Sequence, residues 1–581
     1  MQNAIAFCDN DVVVVAWSYG MKLAGCMGFA VYRIDAAGAE TALPSMAVFP
    51  GFVAKPGQTT AAFPVQKFYW KDPYARLVAD RTGTRSFRYK VVPVAGQPGK
   101  LKPMKVAFLV SNEIAISPVV ASGVAAVFNR GLISTQRVSK ALGGKPSKSA
   151  LLAAIAKRDG ALRKSLAGDM IPALLAFVAR AKSGGALYAA LYELGDDELI
   201  GALEGAGKRL HLILSNPSVA DEQSASAITD GNAASRQRLA KTAGQLIDRM
   251  FSDGQIGHNK YIVYVDRHGT AKAVLFGSTN WTSTGLCAQT NNAMVCDDAG
   301  LARRYLDDWK RLAADTVAAK GDPKLLQAAP LRTWDATAKT LAFGGGAKAT
   351  SWFSPNTPKL RGTIAKEVPP PDMKEVAQLI AGAQHAVLFL VFFPGSPSVA
   401  SWAGAAQKAN KNLFVRGCVT HPSAAESFHY ELHGTKGKQD PRVIQAQALD
   451  DDVPAGWKKE ILSAGFAVTH DKILVVDPFS PACAVVTGSH NLGHRASFNN
   501  DENLVIVRGQ RALAAAYATH VLDIYDHFSW RWTLQNRARA PGAPEATLSL
   551  DSDAWQSRYF DNQGNIKVAQ LRFWLSALPA L

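Results

Sequence analysis

Histidine, lysine, serine and asparagine occur twice in this chain in one order. The first set is His258-Asn259-Lys260, then the apolar run from Tyr261 to Val265, Asp266, and Gly277-Ser278-Thr279-Asn280. The second is His470-Asp471-Lys472, then Ile473 to Val476, Asp477, and Gly488-Ser489-His490-Asn491. Lysine brings a full positive charge, and serine and asparagine bring neutral donors, so together they suit the non-bridging oxygens of a phosphorus oxyanion. A neutral imidazole can attack phosphorus and form a covalent intermediate. A second, protonated imidazole can give a proton to the leaving oxygen, and an ordinary histidine pKa of about 6.5 lets both forms exist near neutrality. Two such half-sites facing one another make one complete site.

The elements that must hold these groups are readable from periodicity. His258 and Lys260 are two apart, so on a strand they share a face, and so are His470 and Lys472. The apolar residues that follow suit a sheet interior. Each Gly-Ser-x-Asn set follows a second short strand, Ala273 to Phe276 in one copy and Val485 to Thr487 in the other. Around the first motif, strands are predicted at Leu187 to Leu191 and His211 to Leu214, with a helix at Asp197 to Ala206. Around the second, strands are predicted at Ala386 to Phe393 and Leu413 to Val419, with helices near Met373 to Ala383 and Ser398 to Ala409. Strands alternating with helices imply mixed sheets covered on both faces, an α/β class with two similar α/β/α lobes.

Residues 1–115 read differently. Short runs rich in β-branched and aromatic residues, such as Ser86 to Val94, alternate apolar and charged positions between turn formers, which predicts an all-β sandwich. The domain reading is therefore 1–115 for the sandwich, 116–335 for the first lobe and 336–370 for a Gly- and Pro-punctuated linker with the leading strand of the second lobe. The second lobe follows at 371–540, and 541–581 is a C-terminal tail packed on the body.

Composition sets the outer bounds. The chain has 581 residues, 48% hydrophobic and 19% charged, as expected of several globular domains. No apolar run reaches the ~18 residues of a membrane span, and the first residues lack a secretory-signal pattern. Six dispersed cysteines without a CxxC pair point to reduced thiols. The expectation is synthesis in the cytoplasm, compatible with signal-independent export. The motifs lack the carboxylates that hold Mg²⁺ or Ca²⁺ and there is no His-Glu-x-x-His, so neither metal nor cofactor is expected. Net charge is +17, which favours a polyanionic partner: nucleic acid or an anionic membrane surface. Basic residues crowd one stretch (Arg130, Arg137, Lys140, Lys145, Lys148, Lys157, Arg158, Arg163 and Lys164) against a single acid, Asp159.

The paired His-x-Lys and Gly-Ser-x-Asn motifs resemble those of the phospholipase D superfamily, over about residues 120–540. The resemblance implies a two-lobed phospholipase D-like fold with one site at the lobe interface, and metal-independent phosphodiester cleavage through a phosphohistidine. Carried over, it implies His258 as nucleophile and His470 as acid. Lys260, Lys472, Asn280 and Asn491 would bind phosphate, with Ser278 and Ser489 beside them; Asp266 and Asp477 would hold structure. The family's acid, eleven positions after the asparagine, falls on Glu502 in one half and on Asn291 in the other. Both are read as histidine-orienting, and the two histidines are expected to be unequal, because a carboxylate stabilises imidazolium better than an amide. A further departure is the five residues between Lys260 and Asp266 where the second copy has four. The N-terminal segments loosely resemble a fibronectin type III-like module. Three substrate readings remain: a phospholipid whose head group is cleaved or exchanged, which the duplicated single-chain arrangement favours; DNA or RNA; and a non-catalytic phosphate-binding protein. Trp281, Trp352, Phe392 and Phe393 are the candidates to flank acyl chains. Two half-sites in one chain also suit a monomer.

Overall fold

The apolar runs after both lysines form central strands, and their alternation assigns the faces. Tyr261 and Val263 point into one core, and Ile262 points into another. A computed structural model describes residues 3–45, 47–53, 55–131, 138, 141–143, 148–217, 230–252, 254–360, 368–392, 397–420, 443–445, 469–538, 549–561 and 566–578. The candidate Phe393 and part of the basic stretch (Arg137, Lys140 and Lys145) lie outside them.

The first lobe is an eight-stranded sheet built from β1 (Val119–Ala121), β2 (Val124–Phe128), β3 (Ala186–Leu191), β4 (Leu210–Leu214), β5 (Gln245–Asp248), β6 (Lys260–Val265), β7 (Ala271–Gly277) and β8 (Asn292–Cys296). Its order is β1-β2-β8-β7-β6-β3-β4-β5. The second lobe contains β9 (Lys339–Phe343), β10 (Ala347–Ser354), β11 (Ala386–Val391), β12 (Phe414–Val419), β13 (Val443–Gln445), β14 (Ile473–Val476), β15 (Ala484–Gly488) and β16 (Asn500–Arg508). Its order is β9-β10-β16-β15-β14-β11-β12-β13. Strand for strand, this is the same topology. In each lobe the middle strand pairs in parallel with the strand that follows it (β3 with β4, β11 with β12) and antiparallel to the motif strand (β6 or β14). Residues 339–354, within the segment read as linker and leading strand, supply β9 and β10 of this sheet.

Helices α1 (Ala299–Ala318) and α2 (Arg511–Ala538) belong to the core between the two sheets. Leu301, Tyr305, Trp309 and Leu312 make the buried stripe of α1 at the helical period. Asp298 caps it, accepting a hydrogen bond from the Leu301 N–H at 2.8 Å. The extra residue between Lys260 and Asp266 is absorbed by a register shift in the β6–β7 pairing at Tyr264 and Val265.

The N-terminal region has two antiparallel sheets. One comprises Asn3–Cys8, Val13–Ser18 and Tyr69–Asp72, and the other is built around Cys26–Ile34 and Ser86–Ala95. Their facing residues, among them Trp17, Phe29 and Tyr89, share a core with Trp555 and Tyr559 from beyond residue 540. A helix, Ala75–Thr82, interrupts the strands. The opposite face of the first sheet packs on the lobes: Phe7 and Tyr69 lie 5.9 Å and 4.8 Å from Trp574, on helix α3 (Ile566–Ala577). Among the described residues no helix is long and apolar enough to cross a membrane.

Candidate active site

The chain enters β6 and β14 through the opposite lobe. Ile256 and Gly257 pair in parallel with Asn500 and Asp501 at the start of β16, and the His258 N–H donates to the Asp501 carbonyl at 2.9 Å. In the other half Thr469 bridges Thr290, and the His470 N–H donates to the Thr290 carbonyl at 3.0 Å. These exchanges bring the two motifs together, with imidazole centroids 6.4 Å apart. His258, Lys260, His470 and Lys472 are all buried.

The same crossing sets the partners of the histidines. His258 Nδ1 lies 2.8 Å and 3.0 Å from the two carboxylate oxygens of Glu502, on β16 of the second lobe. His470 Nδ1 lies 2.8 Å from Asn291 Oδ1, beside β8 of the first lobe. Asn291 is held in that orientation because its amide N–H donates to the Gly285 carbonyl at 2.8 Å. An acceptor at each Nδ1 makes it the protonated nitrogen and leaves Nε2 with the lone pair. Glu502 thus serves His258, and Asn291 serves His470.

Electrostatics follow from burial. Desolvation pulls His258 down to about 4, against the opposing pull of Glu502, so its resting form is the neutral imidazole. His470 is held well below its ordinary value by burial and by Lys472 and Lys260. Burial alone would raise Glu502, but His258 and Lys260 outweigh it and bring the carboxyl to about 2, so it stays ionised. Burial lowers Lys260 to about 7 and Lys472 well below the usual lysine range, with Glu502 and Glu193 opposing in both cases. Each lysine reaches back to the carbonyl of its own histidine, at 2.7 Å for Lys260 and 2.6 Å for Lys472.

The motif glycines and serines build the floor. A Cβ on Gly277 would lie 2.2 Å from the Asn292 carbonyl, and one on Gly488 would lie 2.2 Å from that of Asn503, so only glycine allows these strands to approach. Ser278 donates to Asn291 Oδ1 and accepts from the Asn292 N–H; Ser489 accepts from the Asn503 backbone and side-chain N–H groups. Both serine oxygens are thus tied to the neighbouring strand, Ser278 as donor and acceptor and Ser489 as acceptor. Asn280 donates to Glu193 at 2.6 Å, and the Asn491 side-chain oxygen is buried without a hydrogen-bond partner among the described residues. Asp477 accepts the backbone N–H groups of Gln384, His385 and Ala386 at the head of β11, and Asp266 accepts those of His268 and Thr270 in a hairpin turn.

Tyr192 and Glu193 escape sequence reasoning, whereas Phe392 was singled out there as a candidate to flank acyl chains. Tyr192 and Phe392, each just past the end of its middle strand, pack on His258 and His470 with centroids 5.0 Å away. They also lie 5.1 Å and 5.2 Å from the ammonium groups of Lys260 and Lys472. The duplicated position was the available signal. Glu193 is half-buried, and burial raises its carboxyl against the pull of both lysines. Behind the second motif, Asp471 meets His520 Nε2 at 3.2 Å, and His520 stacks on Phe128 at 4.3 Å. Two aromatic candidates fall away: Trp281 is core, and Trp352 is largely buried with its indole N–H donating to Glu375. Among the described residues no cluster of three or more His, Cys, Asp or Glu is arranged to hold a metal ion.

No family model matches the sequence, and no curated protein matches it. Among solved structures, the chain is similar to a phosphatidylserine synthase from Haemophilus influenzae, at 10% identity over 70% of this chain and 91% of that one, with a TM-score of 0.40. It is also similar to Nuc, a phospholipase D family member from Salmonella typhimurium, at 20% identity over 24% of this chain and 84% of that one (TM-score 0.18). A polyphosphate kinase from Porphyromonas gingivalis aligns at 9% identity over 87% and 72% (TM-score 0.33). The duplicated motifs, the two lobes of identical strand order and the single site they share agree with the sequence motifs' resemblance to the phospholipase D superfamily.

Proposed function

We propose that the protein is a metal-independent phosphodiesterase of phospholipase D type, which cleaves or transfers the head group of a phospholipid through a phosphohistidine at His258. The observation that carries this reading is the crossed pairing of His258 with a carboxylate and of His470 with an amide. His258 Nε2 attacks phosphorus, and the bond to the leaving oxygen breaks as that oxygen takes a proton from His470. Forming the N–P bond puts positive charge on the His258 ring, where Glu502 stabilises it. His470, backed only by an amide, gives up its proton more readily. An oxyanion between Lys260 and Lys472 favours the charged forms of both lysines and of His470, which loads the acid when substrate binds. Neutral His470 then takes a proton from water or an alcohol, whose oxygen attacks phosphorus as the N–P bond breaks.

Part of the basic stretch is engaged in ion pairs, which weakens one argument for nucleic acid as the substrate. Within the basic stretch Arg130 is paired with Asp11, Arg158 with Glu198, Arg163 with Asp196 and Lys164 with Asp159. Arg130 and Arg163, largely buried in these pairs, are not free to meet a nucleic-acid backbone.

The test is purified protein in EDTA against labelled phospholipids and against single- and double-stranded DNA and RNA. Head-group release, a phosphatidyl adduct on His258 after rapid alkaline quench, and loss of both in His258→Ala are the expected results. Cleavage of nucleic acid alone would overturn the substrate, and activity retained in His258→Ala would overturn the mechanism.

A further inference from the structure

Glu193 puts a carboxylate into a site built to receive an anion. It stands two positions past the end of β3 (Ala186–Leu191), and the fold stitches it to the loop that carries the first asparagine. The Trp281 N–H donates to the Glu193 carbonyl at 3.0 Å, and the Gly195 and Asp196 N–H groups donate to the Trp281 carbonyl at 2.9 Å and 3.0 Å. The Leu194 N–H donates to Asn232 Oδ1 at 3.0 Å, which ties the same segment to the head of the helix Ala233–Leu239. Glu193 Oε2 itself accepts from Asn280 Nδ2 at 2.6 Å. Backbone and side chain together hold the carboxylate there. In sequence, the position two past the end of β11 (Ala386–Val391) is Phe393, so the duplication does not repeat the acid.

The charge of Glu193 is felt where a phosphate would bind. Lys260, Lys472 and the Asn280 amide all favour its ionised form against burial. In return Glu193 favours charge on both lysines. Glu502 acts on them too, but it lies at His258 Nδ1, behind the nitrogen that would attack. An amide nitrogen has two N–H donors, so Asn280 can give one to Glu193 and keep one for a phosphate oxygen. An oxyanion held by Lys260, Lys472 and Asn280 thus shares its ligands with a fixed negative charge. Coulomb energy scales with the charge brought in, so that fixed charge penalises a dianion about twice as much as a monoanion. A phosphodiester carries one charge. A phosphomonoester, with a second pKa of about 6, carries nearly two at neutrality.

We propose that Glu193 is a charge filter, which selects singly charged phosphodiesters over doubly charged phosphomonoesters and promotes release of the monoester that hydrolysis leaves. This rests on the reading of the motif site as a phosphodiester site. Cleavage of a head group makes the lipid product a phosphomonoester, so the carboxylate that tolerates the substrate also limits inhibition by the product.

The experiment titrates the full chain calorimetrically with phenylphosphonate and with benzenesulfonate at about pH 8, where the phosphonate carries its second charge. The two anions have nearly the same shape, differ by one charge and offer no leaving oxygen. Both recharge the same lysines, so that contribution cancels in their affinity ratio. Glu193→Gln keeps an acceptor for Asn280 and removes the charge. It should raise the phosphonate-to-sulfonate affinity ratio about tenfold, whereas Glu193→Asp, which keeps the charge, should stay within about threefold of the native ratio. A role in positioning alone would shift both anions equally. An unchanged ratio in Glu193→Gln, with native thermal unfolding retained, overturns the filter and leaves the phosphate site standing. Binding of neither anion, or binding that Lys472→Met leaves unchanged, overturns the reading of the motif site and the filter with it.

Discussion

Glu502→Gln isolates the asymmetry between the two histidines. The carboxylate is fully buried and within 2.8 Å of His258 Nδ1, and it also accepts from Asn500 Nδ2 at 3.1 Å. A glutamine can keep one acceptor oxygen toward the histidine, so the substitution removes charge and largely spares shape. Unit charges about 4 Å apart at an effective dielectric of ~20 attract by ~4 kcal/mol. That attraction is realised only once the His258 ring becomes positive, so the loss falls on kcat, by roughly a thousandfold. Asn291→Ala, which removes a neutral acceptor from His470, should cost only about tenfold. The pH profile supplies the sign. Burial lowers His258 and Glu502 opposes that lowering, so without the carboxylate the acidic limb of kcat/KM moves below about 4. The assay is phosphodiester turnover in EDTA from about pH 3 to 9, with thermal unfolding as the check on folding. A loss below tenfold, a loss equal to that of Asn291→Ala, or an acidic limb that moves upward would refute the argument.

Three further outcomes follow. Above pH 7, binding of inorganic phosphate should take up protons and weaken as pH rises, because an oxyanion recharges Lys260, which burial has brought to about 7; titration calorimetry in buffers of different ionisation enthalpy checks this, and proton release would contradict it. Arg249→Met should cost about 3–5 kcal/mol in denaturant unfolding, because it strands Asp501 and Asp315, which the guanidinium now bridges at 2.5 Å and 2.8 Å; a loss under about 1 kcal/mol would show that the pairs carry little. His520→Gln should destabilise by about 1–3 kcal/mol at low pH; burial alone would lower His520, but Asp471 and Asp9 raise it above the ordinary histidine value, so the gap from the native chain should narrow as pH rises through that raised pKa, and a gap that widens would count against the pairing.

The motif residues and the strands that carry them were legible because they are local and duplicated. His-x-Lys reads as one face of a strand, and the apolar runs around it have the period of a sheet, so the motif strands and their helical neighbours fall where expected. What was not legible is what the chain brings together from a distance. Glu502 could be singled out by its spacing from Asn491, but its partner is 244 positions away, and the crossing depends on how Ile256 and Gly257 meet β16. A lone acid such as Glu193 has no periodic signature, and only the fold places it against Asn280. Nor does sequence show that, within the basic stretch, Asp11 pairs with Arg130 and Asp196 with Arg163. Trp555 and Tyr559 likewise complete the core of the N-terminal sheets from the far end of the chain.

The identical strand order of the lobes explains why one chain can hold a symmetric cradle and still divide labour within it. Topology fixes positions: Tyr192 and Phe392 lie just past the middle strands, and His258 and His470 lie just ahead of the motif strands. Identity at those positions is free to diverge, and it does so where charge matters, with Glu502 in one half and Asn291 in the other. Because each histidine takes both its backbone hydrogen bond and its Nδ1 acceptor from the opposite lobe, neither lobe owns a finished half-site. In the proposed mechanism the carboxylate that favours His258 as nucleophile lies on the strand that follows the second motif, so the lobe carrying the proposed acid also tunes the proposed nucleophile. Any rearrangement of the lobe interface therefore changes both histidines together, and the buried Arg249–Asp501 bridge beside Glu502 is placed to keep that interface fixed.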